Sequence, residues 1–165
     1  MTNEMMNWIN HWKLAAETGD PYAIADALSE DAVLISPITE GFVFRGRDQI
    51  VELLASVFEV FTEITFTGDI RSDDEVALFA SGRVGRLALD EAQHLRLDAD
   101  GRISEITLLM RPLPAVTAFV RALGPRVARR QGRIGAARTL ALAGTFLNTV
   151  AATGDRRFLP LARPR

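Results

Sequence analysis

A polar side chain among apolar ones on a strand is the feature of this sequence most able to support chemistry. In the stretch LDEAQHLRLDADG, a period of two places Gln93 and Leu95 on one face of a strand and His94 on the other. An amide donates and accepts hydrogen bonds but does not ionise, so Gln93 suits orienting a carbonyl or hydroxyl of a ligand in an apolar pocket. His94 is predicted to be a packed or interfacial residue and not a catalytic one.

Further candidate site residues lie near the start of the chain. Trp8 and Trp12 share the apolar stripe of a predicted helix, where they form either part of the core or a pocket wall. Ser36 precedes Pro37 at the end of an apolar run. Ser36 and Gln93 therefore either anchor a ligand or satisfy each other, a backbone group or a trapped water.

The composition bears on metals and on location. The chain has no cysteine and two histidines, and these lack the His-x-x-x-His spacing of a zinc site, so we expect no metal and no cofactor. The first residues, MTNEMMNWINHWK, lack the basic start and apolar core of a secretory signal. A cytoplasmic location is therefore expected.

Hydrophobic spacing predicts the elements that position the candidate residues. A helix is predicted over residues 3–18, a second one begins after the capping residue Asp20, and a third lies in FRGRDQIVELLASVFEVF, with the strand AVLIS before it. Four more strands follow, at residues 63–71, 75–87, 91–98 and 102–111. RSDDE and DADG are the predicted hairpin turns, and two further helices follow, the first broken near Gly124 and Pro125. This order is α+β, with helices against one face of a curved sheet.

The net charge of −2 at 165 residues conceals two regions of opposite sign. Residues 1–120 hold nine Lys and Arg against twenty Asp and Glu, a net −11, whereas residues 121–165 hold ten Arg against one acid, a net +9. Nucleic acid or an anionic membrane could attract the basic segment. We expect it instead to dock on the acidic body of its own or a neighbouring subunit, so neither nucleic acid nor a membrane is an expected partner.

The runs HWKLAAETGDPYAIADALSEDAVLISP, FRGRDQIVELL and HLRLDADGRISEITLLMRPLPA resemble the SnoaL-like, ketosteroid isomerase-like branch of the nuclear transport factor 2-like superfamily. The resemblance implies a cone-shaped fold. Three N-terminal helices would pack on a strongly curved, mostly antiparallel sheet around an apolar pocket, usually in a homodimer. The resemblance spans about residues 3–115, so we expect two regions: a pocket domain at residues 1–115 and, from the charge and helical pattern that follow, a basic helical C-terminal extension at 116–165, packed on that domain.

The resemblance also locates the catalytic positions of two enzyme groups. The tyrosine, aspartate and second carboxyl of ketosteroid isomerases match Trp12, Ser36 and Gln93, none of which suits proton transfer. The water-activating aspartate of limonene epoxide hydrolases matches a place near Leu108. The matched positions therefore predict that the acid–base machinery of both groups is absent.

These observations predict a small-molecule-binding protein with an apolar pocket and an apolar ligand, whose reaction stays open. The alternatives are an isomerase or cyclase acting on a polyketide- or steroid-like substrate, and a non-enzymatic interaction module that uses the basic tail. The predicted pocket residues are Trp8, Trp12, Ser36, Gln93, Leu95 and Leu108.

Overall fold

Helices and strands alternate along the first part of the chain and a strand meander follows, as the computed structural model shows for residues 3–157 and residue 161. The described helices are α1 (Asn3–Thr18), α2 (Arg47–Phe58), α3 (Leu113–Arg130) and α4 (Ile134–Arg157), with a short 3-10 helix at Ala25–Ala27. The described strands are β1 (Leu28–Ile35), β2 (Phe44–Arg45), β3 (Phe61–Arg71), β4 (Glu75–Val84), β5 (Leu87–Leu97) and β6 (Ile103–Arg111). Residues 1, 2, 158–160 and 162–165 of the two predicted regions lie outside the described residues.

The strands form one six-stranded sheet in the order β2-β1-β6-β5-β4-β3. The β1–β6 pair is parallel and the other neighbours are antiparallel, so the prediction of an α+β fold with a mostly antiparallel sheet is confirmed. The sheet is not closed or strongly curled, because β2 and β3 remain separate edges, and the expected strong curvature is corrected accordingly.

The sheet and helices bury two clusters of apolar side chains. The larger cluster joins α1, α2, β1 and the inward face of the meander, with Ile9, Ile50 and Leu95 almost fully buried. The smaller cluster joins β3, β4, β5 and α3 and includes Phe61 and Phe119. Together they hold the helices against the sheet and leave room between α2, α3 and the strands.

The predicted second helix is wrong. The carboxylate of Asp20 accepts hydrogen bonds from the backbone N–H groups of Tyr22 and Ala23, as a cap would, but turns and the 3-10 helix follow. The chain enters β1 at Leu28, which pairs with Ile103, so there is no length for a regular helix. The N-terminal part therefore has two α-helices where three were expected.

The turn between β4 and β5 falls earlier than expected. Gly85 has a φ of 60°, a conformation that glycine adopts readily, and with Arg86 it joins Val84 to Leu87. The strands predicted at 75–87 and 91–98 are therefore Glu75–Val84 and Leu87–Leu97. This shift places Glu91 inside β5 and not at its start.

Helix α3 of the basic extension contacts the end of α2 through ion pairs. Helix α3 runs unbroken through the buried Pro125, and its Arg130 and Arg126 approach Glu59, at the end of α2, to 2.6 and 3.3 Å. The hydrogen bond from Arg130 is the main reason that the pKa of Glu59 lies below its ordinary value. The predicted break near Gly124 is corrected, since packing against the body and α4 holds this helix together.

Helix α4 packs on α3 through small residues. Ala137 and Gly144 are its buried positions, and a Cβ on Gly144 would lie 2.8 Å from the Cα of Arg121. The large apolar side chains of α4, by contrast, are exposed. No helix in the described part of the chain is both long enough and apolar enough to cross a membrane.

We predict that Gly82→Ala destabilises the fold. A Cβ at Gly82 in β4 would lie 2.5 Å from Cε2 of Phe61 and 2.9 Å from the carbonyl oxygen of Thr62, so backbone and core must shift. Overpacking of this kind costs about 1–3 kcal/mol of the free energy of unfolding, measured by urea denaturation. Gly68→Ala in β3 is the matched control, because a Cβ there meets nothing within 4 Å. Equal stability of the two variants would contradict the close packing at Gly82.

Candidate functional site

A cavity of about 970 Å³ lies between the helices and the inward face of the sheet. Its wall is mostly apolar, with side chains from α1, β1, α2, β5, β6, α3, the first turns of α4 and the 37–44 loop. Representative apolar lining residues are Leu34, Leu54, Phe58, Leu108, Met110 and Phe119. This volume lies at the upper end of the range of small-molecule sites.

The predominantly apolar wall contains a short chain of hydrogen-bonded polar groups. The indole N–H of Trp12 donates to Oε1 of Gln93 at 2.8 Å, and Nε2 of Gln93 donates to Oε2 of Glu91 at 2.9 Å. An indole is only a donor, so its bond fixes which end of the amide faces Glu91. The second N–H of Gln93 and the Oε1 atom of Glu91 remain as hydrogen-bonding groups for a ligand.

Among the three hydrogen-bonded side chains Trp12, Gln93 and Glu91, the ionisable one is Glu91, which is only 8% exposed. Its neighbours across the sheet are Ala80 on β4 and Met110 on β6, both apolar. Burial raises the pKa of Glu91 from 4.5 to about 7, while the hydrogen bond from Gln93 lowers the pKa in part. Near neutral pH the carboxyl group is therefore present in both forms, the condition for accepting and returning a proton.

Four of the six predicted pocket residues line the cavity: Trp12, Ser36, Gln93 and Leu108. Gln93 is 5% exposed and faces inward, and Leu108 is its neighbour across the sheet on β6. Ser36 does not bond to Gln93, because its hydroxyl accepts from the backbone N–H of Ile38 at 3.1 Å in a local turn. The partners of Gln93 are therefore Trp12 and Glu91, which settles how the amide is satisfied in the structure.

The placement of Trp8 and Leu95 in the pocket is corrected. Trp8 packs at the edge of the larger core cluster, with the guanidinium of Arg102 4.6 Å from the centre of its ring. Leu95 is fully buried in that same cluster. The inward face of β5 is filled by core side chains around Leu95 and opens on the cavity only toward Gln93 and Glu91.

His94 faces away from the cavity, on the outer side of β5. Its Nε2 lies 3.5 Å from Oε2 of Glu75, and the other carboxylate oxygen of Glu75 pairs with Nε of Arg96 at 3.3 Å. Among the described residues there is no group of His, Asp and Glu side chains arranged to hold a metal ion.

Glu91 was not a candidate in the sequence, although the signal for it was there. The period that turns Gln93 and Leu95 inward also turns Glu91 inward. With the turn placed too late, Glu91 stood at the first position of its strand, where an acid is expected to pair with arginine on the surface. The matched positions still hold no residue suited to proton transfer, but the prediction drawn from them left out Glu91, which lines the cavity.

The cavity rim is more polar and is formed where α3 passes into α4. Gln131, Arg133 and Thr139 line the cavity there, next to Ala136 and Leu140. The extension thus contributes wall residues as well as covering the body. The boundary between the two predicted regions does not separate the cavity from the extension.

The family comparison covers more than half of the chain. The sequence model of the SnoaL-like domain family matches residues 9–106, which include Trp12, Ser36, Glu91 and Gln93. No curated protein matches the sequence.

Solved structures share the fold over most of their length. A steroid delta-isomerase from Pseudomonas aeruginosa is 25% identical, with a TM-score of 0.73 over 80% of this chain and 97% of that chain. An uncharacterised conserved protein with a cystatin-like fold from Silicibacter pomeroyi is 26% identical, with a TM-score of 0.73 over 81% of this chain and 96% of that chain.

A more distant structural neighbour is SalBIII, an epoxide hydrolase/cyclase-like enzyme with a role in pyran ring formation in the polyether salinomycin. It is 17% identical, with a TM-score of 0.55 over 65% of this chain and 90% of that chain. At this identity the likeness is one of fold alone.

Proposed function

The chain belongs to the SnoaL-like domain family, and from this premise we propose that its cavity binds an apolar small molecule with a carbonyl group and that Glu91 moves a proton on that molecule. The observation that carries the proposal is Glu91 itself: a buried carboxyl that lines an apolar cavity and has a pKa raised to about 7. Gln93 supplies a hydrogen-bond donor beside it.

The reaction that suits these groups is the migration of a proton between two carbons. Oε1 of ionised Glu91 takes a proton from the carbon between the carbonyl and a β,γ-double bond. The electron pair of that C–H bond forms a new carbon–carbon double bond, and the π pair of the carbonyl moves to its oxygen, which gives a conjugated enolate. The free N–H of Gln93 donates to this oxygen as its charge develops. Protonated Glu91 then returns the proton to a carbon further along the conjugated system, and the carbonyl reforms with the double bond shifted.

Each group contributes through a different physical property. The apolar wall keeps the pKa of Glu91 near 7, so that it is basic enough to remove a proton and acidic enough to return it. Trp12 holds the Gln93 amide so that its N–H groups, and not its carbonyl, face Glu91. The likeness to a steroid delta-isomerase at 25% identity supports this reaction class.

Ligand binding without turnover is the second candidate function. It is favoured by Trp12, Ser36 and Gln93, which stand where the resemblance to ketosteroid isomerases implies a tyrosine, an aspartate and a second carboxyl. A carboxyl that stays protonated could then donate a hydrogen bond to an oxygen of the ligand.

The experiment that tests the proposal uses a panel of β,γ-unsaturated ketones, from small cyclic ketones to steroids, in heavy water. We expect the wild-type protein to convert at least one of them to the conjugated ketone, followed by ultraviolet absorbance, and to introduce deuterium next to the carbonyl. Tight binding without either change across the panel would favour the second candidate. Neither binding nor turnover would contradict both.

Gln93→Leu is expected to weaken ligand binding and to shift its pH dependence. A lost hydrogen bond to the ligand corresponds to about 1–2 kcal/mol, or roughly a tenfold higher Kd, measured by calorimetry. The bond from Gln93 lowers the pKa of Glu91, so its loss should raise that pKa and move any pH midpoint upward. Gln131→Leu, the same change at the rim, should leave the pH midpoint unchanged. A matching shift in both variants would contradict the role of Gln93.

A further inference from the structure

The outer surface of α4 carries a stripe of large apolar side chains that nothing in the described part of the chain covers. Leu142, Phe146 and Val150 follow each other at intervals of four residues, so they lie along one side of the helix, and Leu147 borders them. They are 76, 74, 53 and 48% exposed, respectively. We call these four residues the α4 apolar face. The helix packs on α3 with its small residues and turns this face to the outside.

Positive charge flanks the α4 apolar face at both ends. Arg138 lies one turn before Leu142, and Arg156 and Arg157 follow in the last turn, whereas Asp155 is the one acid of the helix. None of the ion pairs within the described part of the chain involves these three arginines. The arginines that do anchor the extension, Arg126 and Arg130, belong to α3.

We propose that the α4 apolar face docks on the surface of an anionic lipid bilayer. Its apolar side chains enter the boundary between head groups and acyl chains, and the flanking arginines pair with anionic head groups. The expectation that a membrane is not a partner assumed that this segment would be covered by the folded body, and the exposure of Phe146 and Leu142 removes that assumption.

A second copy of this chain fits the face less well. Two α4 faces related by a twofold axis would bring net positive charge together, because each copy carries Arg138, Arg156 and Arg157 against the single acid Asp155. Anionic head groups neutralise all of these arginines at once.

The docking surface is continuous with the rim of the cavity. Ala136, Thr139 and Leu140 of α4 line the cavity, and the α4 apolar face begins within a turn of Leu140. Docking would therefore place the rim at the bilayer, from which an apolar ligand could enter. This route, unlike the docking itself, rests on the proposed ligand-binding function.

The test is flotation of the full-length protein with vesicles of phosphatidylcholine alone and of phosphatidylcholine mixed with phosphatidylglycerol. We expect binding to the anionic vesicles and a decrease as salt is added, because salt screens the arginines. Phe146→Glu should reduce the partition coefficient at least tenfold, since it places a charge in the apolar stripe. Thr145→Glu adds the same charge beside the stripe, and it should reduce binding clearly less.

Light scattering after size exclusion supplies the second measurement. The proposal is overturned if the wild-type protein ignores anionic vesicles, or if both glutamate variants lose binding equally, which would indicate charge alone. It is also overturned if Phe146→Glu changes a dimer into a monomer without any vesicle binding by the wild type, because a second copy would then cover the face. Failure of the ketone assay with intact vesicle binding would leave the docking surface standing and remove only the proposed function.

Discussion

Glu91→Gln is expected to lower the rate of proton transfer by roughly 10²–10³-fold, within the range that a positioned general base contributes. The amide keeps the size of the side chain and a hydrogen-bond acceptor for Gln93, but it cannot take a proton. Ligand binding should change little, because the apolar wall is the same. The loss should therefore appear in kcat and not in KM.

The pH profile of the wild-type protein is a second, independent test of Glu91 as the base. Glu91 acts as a base only when ionised, so kcat/KM should rise with pH and level off above about 7, the value to which burial raises the pKa of this carboxyl. Glu105→Gln is the matched control, because Glu105 lies on β6, outside the cavity lining, beside Arg96 at 3.8 Å. An unchanged rate in Glu91→Gln, or an equal loss in the control, would contradict the assignment.

The sequence predicts well those elements whose signal is local. Helix α1 follows from its apolar stripe, and the turns RSDDE and DADG follow from their composition, so these elements fall where expected. The inward direction of Gln93 follows from the alternation along β5. Each of these signals needs only a few neighbouring residues.

The sequence fails where a distant contact decides the outcome. The helix expected after Asp20 gives way because Leu28 pairs with Ile103 across the sheet. Helix α3 continues through Pro125 because surrounding packing holds it together. Nothing local in TLALAGTFLNTV indicates that α4 would meet α3 through Gly144, and so the side of this helix that faces outward could not be predicted.

In the candidate site, too, some features follow from local signals in the sequence and others depend on distant contacts. Trp12 and Gln93 were identified by matching positions, but the bond between them depends on how α1 crosses the sheet. Glu91 was already inside the predicted strand, but the turn at Gly85, which starts β5 at Leu87, places it away from the strand end. An error of three to four residues in the position of a turn thus drew attention away from the one buried carboxyl that lines the cavity among the described residues.

Glu91→Gln is also expected to make the protein more stable than the wild type above pH 7, by up to about 3 kcal/mol. The pKa of Glu91 is raised from 4.5 in the unfolded chain to about 7 in the folded protein, and each unit corresponds to about 1.4 kcal/mol. Between these two values the folded state holds the proton more tightly, so the free energy of unfolding falls as the pH rises. The contribution of protonated Glu91 to the free energy of unfolding is fully present below pH 4.5 and is lost once the pH has passed about 7.

Urea denaturation of both proteins from pH 4 to pH 9 measures this difference. The two curves should nearly coincide at the acidic end, where Glu91 is protonated and resembles an amide, and they should separate through neutral pH. Asp69 and Glu59 have lowered pKa values and weaken both proteins equally in acid, so their contribution cancels in the difference. Glu105→Gln should run parallel to the wild type throughout. If the curve of Glu91→Gln ran parallel to that of the wild type, the carboxyl of Glu91 in the wild-type protein would titrate at an ordinary pH. The apolar cavity would then not hold a group poised to exchange a proton.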